Sequence, residues 1–422
     1  MKIYFITNYL PKYHKISGGA ERATNSILKL LKDKGKDVGV MFTKPDFDEG
    51  KFNSVPIKAI EDRLSEKMKR TIQTMKIMGI FYDILTFFHS LKVYAKVKPD
   101  ILNFQNFNVL SFPMLWAAKL MGIPTIFSVY DFWCICPTGT LIDNKGRRCR
   151  IFNSILCEKC NFVPPQFRLI KKLGLLKPML FIREKIFKIS LKQFDAFIVL
   201  STFWVDILKK YGIDEKKINV IPLPIEGNIK IKKNRKVERN SILFVGWIDR
   251  RKGSFTVVRA MKKILKNVPN AKLYLIGPIG EESQKKKIDD YINKNKLEKN
   301  IKFLGKMPHQ QVLDFMQKVE VITIPEQWEI AWPIALTEAM AVAKPTVSSN
   351  IGGIPDFIDA GKNGFLAEPT DYNDFANKII WFLKNKRKAK KMGMQARKDV
   401  LNMTDENMIV DKLMELYKSK VL

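Results

Sequence analysis

The sequence predicts an α/β protein built from two doubly wound parallel sheets that face a central cleft. Two observations predict it. Short apolar strands alternate with longer amphipathic stretches almost throughout, the pattern of parallel sheets with helices on both faces. The series also starts afresh after a polar, basic segment near residue 225. A length of 422 residues leaves room for roughly two or three domains.

In the first series the expected strands are 2–7, 37–43, 100–105, 125–131, 196–201 and 219–223, with helical patterns such as 20–34 and 113–121 between them. The second series runs 242–247, 272–277, 301–305, 319–325, 345–349 and 364–367. The implied domains are 1–224, with a Cys-rich insert at 134–160, then a linker at 225–240 and a domain at 241–402. Residues 403–422 form a last helix, expected to pack back on the first domain. In such sheets ligands bind beyond the carboxyl ends of the strands.

A composition of 46% hydrophobic and 27% charged residues is that of a folded globular chain and excludes low-complexity and collagen-like classes. The net charge of +32 is unusual. It implies attraction to something anionic, but 59 of the 74 basic residues are Lys, whereas base readout leans on Arg forks. Nucleic acid is therefore not the expected partner. No run of 18 apolar residues and no signal-peptide pattern occurs, so the chain is expected in the cytoplasm, with membrane contact only at its surface.

Three stretches carry chemistry. Gly18-Gly19 ends the first strand's loop and opens a helix, where backbone N–H groups can approach an anion. This is not the G-x-G-x-x-G dinucleotide fingerprint, which disfavours a dehydrogenase. Arg250, Arg251 and Lys252 precede Gly253 at the end of strand 242–247, a cluster suited to a diphosphate, or else a solvated basic turn. Finally, Glu338 falls in an apolar helix, where a buried carboxylate needs partners: ligand hydroxyls, helix N-termini or a nearby Lys. Pro333 suits that helix's first turn and leaves the N–H groups of Ile334 and Ala335 for phosphate oxygens.

These motifs, in order, resemble glycosyltransferase family 4 of the GT-B fold, whose two domains are Rossmann-like. The resemblance rests on Gly18-Gly19-Ala20-Glu21, the stretch Phe194 to Ser201, Val245-Gly246 with Lys252-Gly253, and Phe303-Leu304-Gly305. Glu338-Ala339-Met340-Ala341 and the stretch Asn350 to Pro355 complete it. It implies a retaining enzyme in which 1–224 binds the acceptor and 241–402 a nucleotide diphosphate sugar. Glu338 would take the ribose hydroxyls, Lys252 the diphosphate, and the loop at Lys306 and Met307 the base. Gly18 and Gly19 would lie against the donor phosphate. The resemblance implies front-face displacement without a catalytic metal.

Three positions depart from the family pattern. Trp247 stands where an arginine is usual, so one diphosphate cation is missing, and Arg250 or Arg251 is the candidate donor-binding replacement. Ile330 stands where the first carboxylate of a Glu-x7-Glu pair is expected, leaving Glu329, one residue away, for the donor sugar. Tyr130 replaces a histidine, while Asp131 remains to orient acceptor or sugar hydroxyls. Asp131 and Glu329 are thus the candidate catalytic carboxylates. The departures keep two other readings open: a catalytically weak partner subunit of the same fold, and a sugar-nucleotide epimerase.

All five cysteines lie between 134 and 160, and Cys157 and Cys160 have metal-ligand spacing. Cys136, Cys149, Cys157 and Cys160 are the candidate ligands of a structural zinc, with free thiols and disulfides as alternatives. Residues 166–192 hold eight cations against Glu184 alone, interleaved with leucines, isoleucines and phenylalanines. That is the pattern of an interfacial helix on an anionic membrane, or of a core helix with a solvated basic side. The Met-rich stretch 72–88 reads as core or as an acceptor groove. His309 reads as a cap at a helix start.

Overall fold

A computed structural model describes residues 1–11, 13–15, 18–46, 53–77, 81–143, 148–149, 157, 172–225, 229–232 and 236–421. They fall into two compact units, Met1–Pro224 with Glu406–Leu422, and Ile225–Asp405.

Unit 1 is built on seven parallel strands: β1 (Lys2–Ile6), β2 (Asp37–Phe42), β3 (Asn53–Pro56), β4 (Ile101–Phe104), β5 (Thr125–Val129), β6 (Ala196–Val199) and β7 (Ile218–Val220). Their order is β3-β2-β1-β4-β5-β6-β7. The central strands are nearly continuous apolar runs because helices cover both faces of a parallel sheet. The helices are α1 (Gly19–Asp33), α2 (Glu66–Ile77), α3 (Ile84–Val97), α4 (Pro113–Leu120), α5 (Leu176–Lys192) and α6 (Phe203–Lys210). An aromatic cluster fills the core, with Phe107 edge-on to Phe104, Phe112, Phe127 and Trp133.

Unit 2 carries β8 (Ser241–Val245), β9 (Lys272–Ile276), β10 (Ile301–Gly305), β11 (Val321–Ile324), β12 (Thr346–Ser349) and β13 (Phe365–Ala367), ordered β10-β9-β8-β11-β12-β13. Its helices are α7 (Ser254–Asn267), α8 (Glu282–Lys294), α9 (His309–Lys318), α10 (Ile334–Ala341), α11 (Tyr372–Lys384) and α12 (Lys386–Met403). Ile242, Phe244, Val257, Met261, Leu273, Val347, Phe375 and Ile379 belong to one buried core.

Each expected strand forms, one to three residues shorter at some ends. β3 is additional: its sequence Asn53-Ser54-Val55-Pro56 has no apolar period, yet it pairs with β2 at the sheet edge, where Pro is tolerated. The polar segment after Pro224 lies on unit 2, where Lys232 N donates to Gln317 Oε1 (2.9 Å) and Glu238 N to Lys318 O (2.8 Å). The last helix, α13 (Glu406–Val421), returns to unit 1, and Asn103 Nδ2 on β4 donates to its Tyr417 hydroxyl (2.7 Å). In both sheets the strand order reverses once, between β1 and β4 and between β8 and β11. Those switch points are where a doubly wound sheet opens a crevice at its carboxyl edge.

Candidate active site

In unit 2 the loops after β8 and β11 meet at the switch point. Asp249 is buried and organises the first loop. Its Oδ1 accepts from Lys252 N (2.8 Å) and its Oδ2 from Arg251 Nη2 (2.9 Å). The loop then turns through Gly253 at φ +66°, where a Cβ would stand 1.8 Å from the Pro325 carbonyl oxygen, so only glycine fits. Gln327 N donates to Arg251 O (2.7 Å) and locks the two loops together.

That junction aims Lys252 at the second loop. Its Nζ lies 2.7 Å from Oε1 of buried Glu326, whose Oε2 accepts from the Trp328 indole (2.7 Å). The Lys252 and Arg251 cations lie 5.7 and 5.4 Å from the Trp328 ring centroid, within cation–π range. The expected diphosphate cations are therefore engaged: Arg251 by Asp249, and Lys252 by Glu326. Glu326 escaped the sequence reading; the only signal for it was a carboxylate directly following the Pro that ends a central strand. Trp247, in the usual arginine position, is 52% exposed.

Glu329 is also buried. Its Oε2 accepts from Gly352 N (3.0 Å) in the turn after β12, and Gly353 N donates to Ile330 O (2.8 Å). Gly352 has φ +56°, and a Cβ there would come within 2.6 Å of Ile330 N and O. Glu329 thus anchors the β11 loop to the β12 turn.

Glu338 is buried on α10, as its apolar neighbours require, and its partner is His309, whose Nε2 lies 2.6 Å from Glu338 Oε1. His309 is thus more than the cap its position suggested. It stands at the start of α9, two residues after half-buried Met307. The expectation that Ile334 leaves its N–H for phosphate needs correcting, because Ile334 N donates to Trp332 O (3.1 Å). Pro333 caps α10, and Ala335 is half-buried in its first turn.

In unit 1 the loops after β1, β4 and β5 hold a polar network. Buried Glu21 accepts from Gly18 N (2.8 Å) and from Asn106 Nδ2 (2.8 Å), while a Cβ added at Gly19 would meet nothing within 4 Å. Asn8 Oδ1 accepts from Val109 N and Leu110 N (3.0 and 3.1 Å). Asp131 accepts from Trp133 N (2.9 Å); burial, with a smaller push from the Glu21 charge, raises its carboxyl to about 6. A carboxyl there can exchange a proton near neutrality. Tyr130, in the usual histidine position, donates to Gln105 Oε1 (2.7 Å), and burial pushes its hydroxyl far up.

Of the proposed zinc ligands, Cys160 lies outside the described residues. Cys136 Sγ lies 3.1 Å from Thr138 Oγ1, and Cys149 N donates to Leu141 O (2.8 Å). Among the described residues no group of three or more His, Cys, Asp or Glu stands together to hold a metal.

The family model described as glycosyl transferases group 1 matches residues 226–399, and that of Glycosyltransferase Family 4 matches residues 17–226. Together they cover both switch-point sites. The chain belongs to glycosyltransferase family 4. An uncharacterised glycosyltransferase of Methanocaldococcus jannaschii is 31% identical over 154 residues, 36% of this chain and 40% of that protein. Trehalose synthase of Thermococcus litoralis is 29% identical over 184 residues, 43% of each. The chain thus spans about two fifths of the length of these curated relatives. Among solved structures, HepE of Anabaena in complex with UDP has a TM-score of 0.67 at 16% identity, over 99% of this chain and 100% of that one. The fold is GT-B, as the family resemblance implied.

Proposed function

We propose that the chain is a retaining glycosyltransferase that moves a sugar from a nucleotide diphosphate sugar to a hydroxyl of a cell-surface glycan or lipid-linked acceptor. The observation that carries this reading is the Lys252–Glu326 junction at the unit 2 switch point, a cation held by a buried carboxylate on the edge where the fold takes its ligand. UDP bound to HepE, a protein of the same fold, supports a nucleotide donor.

In this reading an incoming diphosphate takes Lys252 and Arg251, Glu338 accepts from the ribose hydroxyls, and Met307 borders the base. Glu329 faces the donor sugar, and Asp131 orients the acceptor or sugar hydroxyls, with Gly18 and Gly19 against the phosphate. The bond from the anomeric carbon to the diphosphate oxygen breaks, and its electron pair leaves on the diphosphate. The acceptor oxygen attacks the same face, and its proton passes to the departing phosphate. Cations at that phosphate stabilise the growing charge. No metal enters this scheme.

Calorimetry with a set of nucleotide sugars tests the proposal: one should bind and support acceptor-dependent transfer, and failure of all of them to bind overturns it. A weakly catalytic partner subunit is the second reading, favoured by exposed Trp247 in place of a cation. Turnover with a bound donor separates the two. The chain is further proposed to work in the cytoplasm, at an anionic membrane surface. Among the described residues no helix is long and apolar enough to cross a membrane. Cys136, Cys149, Cys157 and Cys160 are proposed to hold a structural zinc, on their spacing. Elemental analysis of the chelator-washed chain should find one equivalent, and its absence overturns the assignment.

A further inference from the structure

Helix α5 is apolar on two sides. Leu176, Leu180, Phe187 and Leu191 recur at helical spacing and are buried, and Arg183 is buried among them, its guanidinium 3.9 Å from the Phe187 ring centroid. A second row, Leu175, Met179, Ile182, Ile186 and Ile189, follows the same spacing on another face. This row is not core: Ile182 is 54% exposed, Ile186 40% and Ile189 55%. A helix that is apolar all round is normally enclosed, so a face left open in this way calls for an apolar occupant.

The shape beside that face narrows the occupant. Met179, Ile182 and Ile186 line a groove of about 480 Å³ together with Tyr82, Phe112 and Trp116. Its polar groups are few, which suits a hydrocarbon and not a sugar. Charge narrows it further. Lys185 lies three residues from Ile182 and four from Ile189, and Lys192 three from Ile189, so both cations rim the open row. Both are exposed, whereas Lys188 is taken by Glu184 (2.7 Å). Glu184 is the only carboxylate on α5, against five cations.

We propose that this groove holds the hydrocarbon chain of a phosphate-bearing lipid, with Lys185 and Lys192 at its head group. Resting on the transfer reading above, this lipid is the anchor of the acceptor. A concave slot fits a single chain, and the lysine rim fits its phosphate.

The test uses the full chain and dodecyl phosphate below its micelle concentration, titrated by calorimetry, with butyl phosphate and uncharged dodecyl maltoside alongside. Dodecyl phosphate should bind at least about ten-fold more tightly than either, since both chain and charge contribute. Ile182→Glu and Ile186→Glu should each weaken it about ten-fold or more. Both positions are open to solvent, and thermal melting confirms that the variants fold. Lys185→Glu should weaken dodecyl phosphate while leaving dodecyl maltoside unchanged. Equal affinity for the butyl and dodecyl phosphates overturns the proposal, as does unchanged binding in both isoleucine variants. Binding to phosphatidylglycerol vesicles without binding of monomeric dodecyl phosphate also overturns it, because the row would then face a bilayer surface. Nucleotide-sugar titration of the same variants reads unit 2 separately, so failure of the transfer reading and failure of the lipid site give different patterns.

Discussion

The Nε2 atom of His309 lies 2.6 Å from Oε1 of Glu338, joining the first turn of one helix to the buried carboxylate of another. The contact holds Glu338 in one orientation and leaves its second oxygen for another donor. If that donor is a ribose hydroxyl, Glu338→Ala should weaken nucleotide-sugar binding about 10- to 100-fold, the range for a lost hydrogen bond to a charged group. His309→Ala should cost less, roughly several-fold, because the carboxylate remains but loses its brace. Calorimetric titration of both variants checks the ranking.

The Lys252–Glu326 pair makes the opposite kind of prediction. While Glu326 holds the cation, a diphosphate must compete for it. Glu326→Gln keeps an acceptor for the Trp328 indole but removes the competing charge, so nucleotide diphosphate binding should tighten several-fold. Lys252→Met should weaken it by roughly ten-fold or more, as loss of a charge-assisted contact implies. Parallel titrations with the free nucleoside diphosphate read both.

Asp131 sets a pH dependence. Its carboxyl stands at about 6 in the fold against an ordinary value of 3.8, so between these values the folded chain binds the proton and the unfolded chain does not. Stability contributed by this group is therefore present at low pH and falls as pH rises through about 4 to 6. Asp131→Asn, which never ionises, should gain on wild type across that window by about 1–3 kcal/mol. Denaturant melts at pH 4 and pH 7 measure the difference.

A buried ionic triad in unit 1 predicts a large loss. Lys76 on α2 is fully buried, with Glu61 Oε2 and Asp83 Oδ2 each 2.6 Å from its Nζ. Burial raises the Glu61 carboxyl despite the lysine. Asp83, also buried, is held below the usual range by Lys76 and by the Thr86 hydroxyl and N–H. Lys76→Met strands two carboxylates and should cost about 3–5 kcal/mol. Replacing all three residues with apolar ones of similar volume should recover much of that loss, as thermal melts can show.

The strands were legible because a strand in a parallel sheet is a short apolar run between turn residues, and Ile3 to Ile6 or Ile242 to Phe244 are such runs. β3 was not, since Asn53 to Pro56 joins the sheet through backbone pairing with β2 alone. Gly253, Lys252 and Glu338 stand out in the sequence as candidates because their types are costly or unusual where they stand. Glu326 and His309 were not, because each becomes meaningful only through a partner on a separate loop or helix. Lys76 was hidden in a stretch read as core or groove, and its ion pairs depend on carboxylates 15 and 7 positions away. On α5 the composition showed a basic apolar helix, but the usual inside and outside are partly exchanged: Arg183 is enclosed while Ile182 is open.

The Tyr417–Asn103 hydrogen bond has a practical corollary for dividing the chain. Because α13 belongs with the first sheet, the polypeptide leaves unit 1 after Pro224 and re-enters it at Glu406. One cut near residue 224 therefore strips unit 1 of a buried tyrosine and takes from Asn103 Nδ2 its hydroxyl acceptor, leaving Asn103 Oδ1 to Gln105 and Ser128. A self-sufficient fragment needs 1–224 supplied together with 406–421, fused by a short linker or added as a peptide, whereas unit 2 comes out as one uninterrupted stretch.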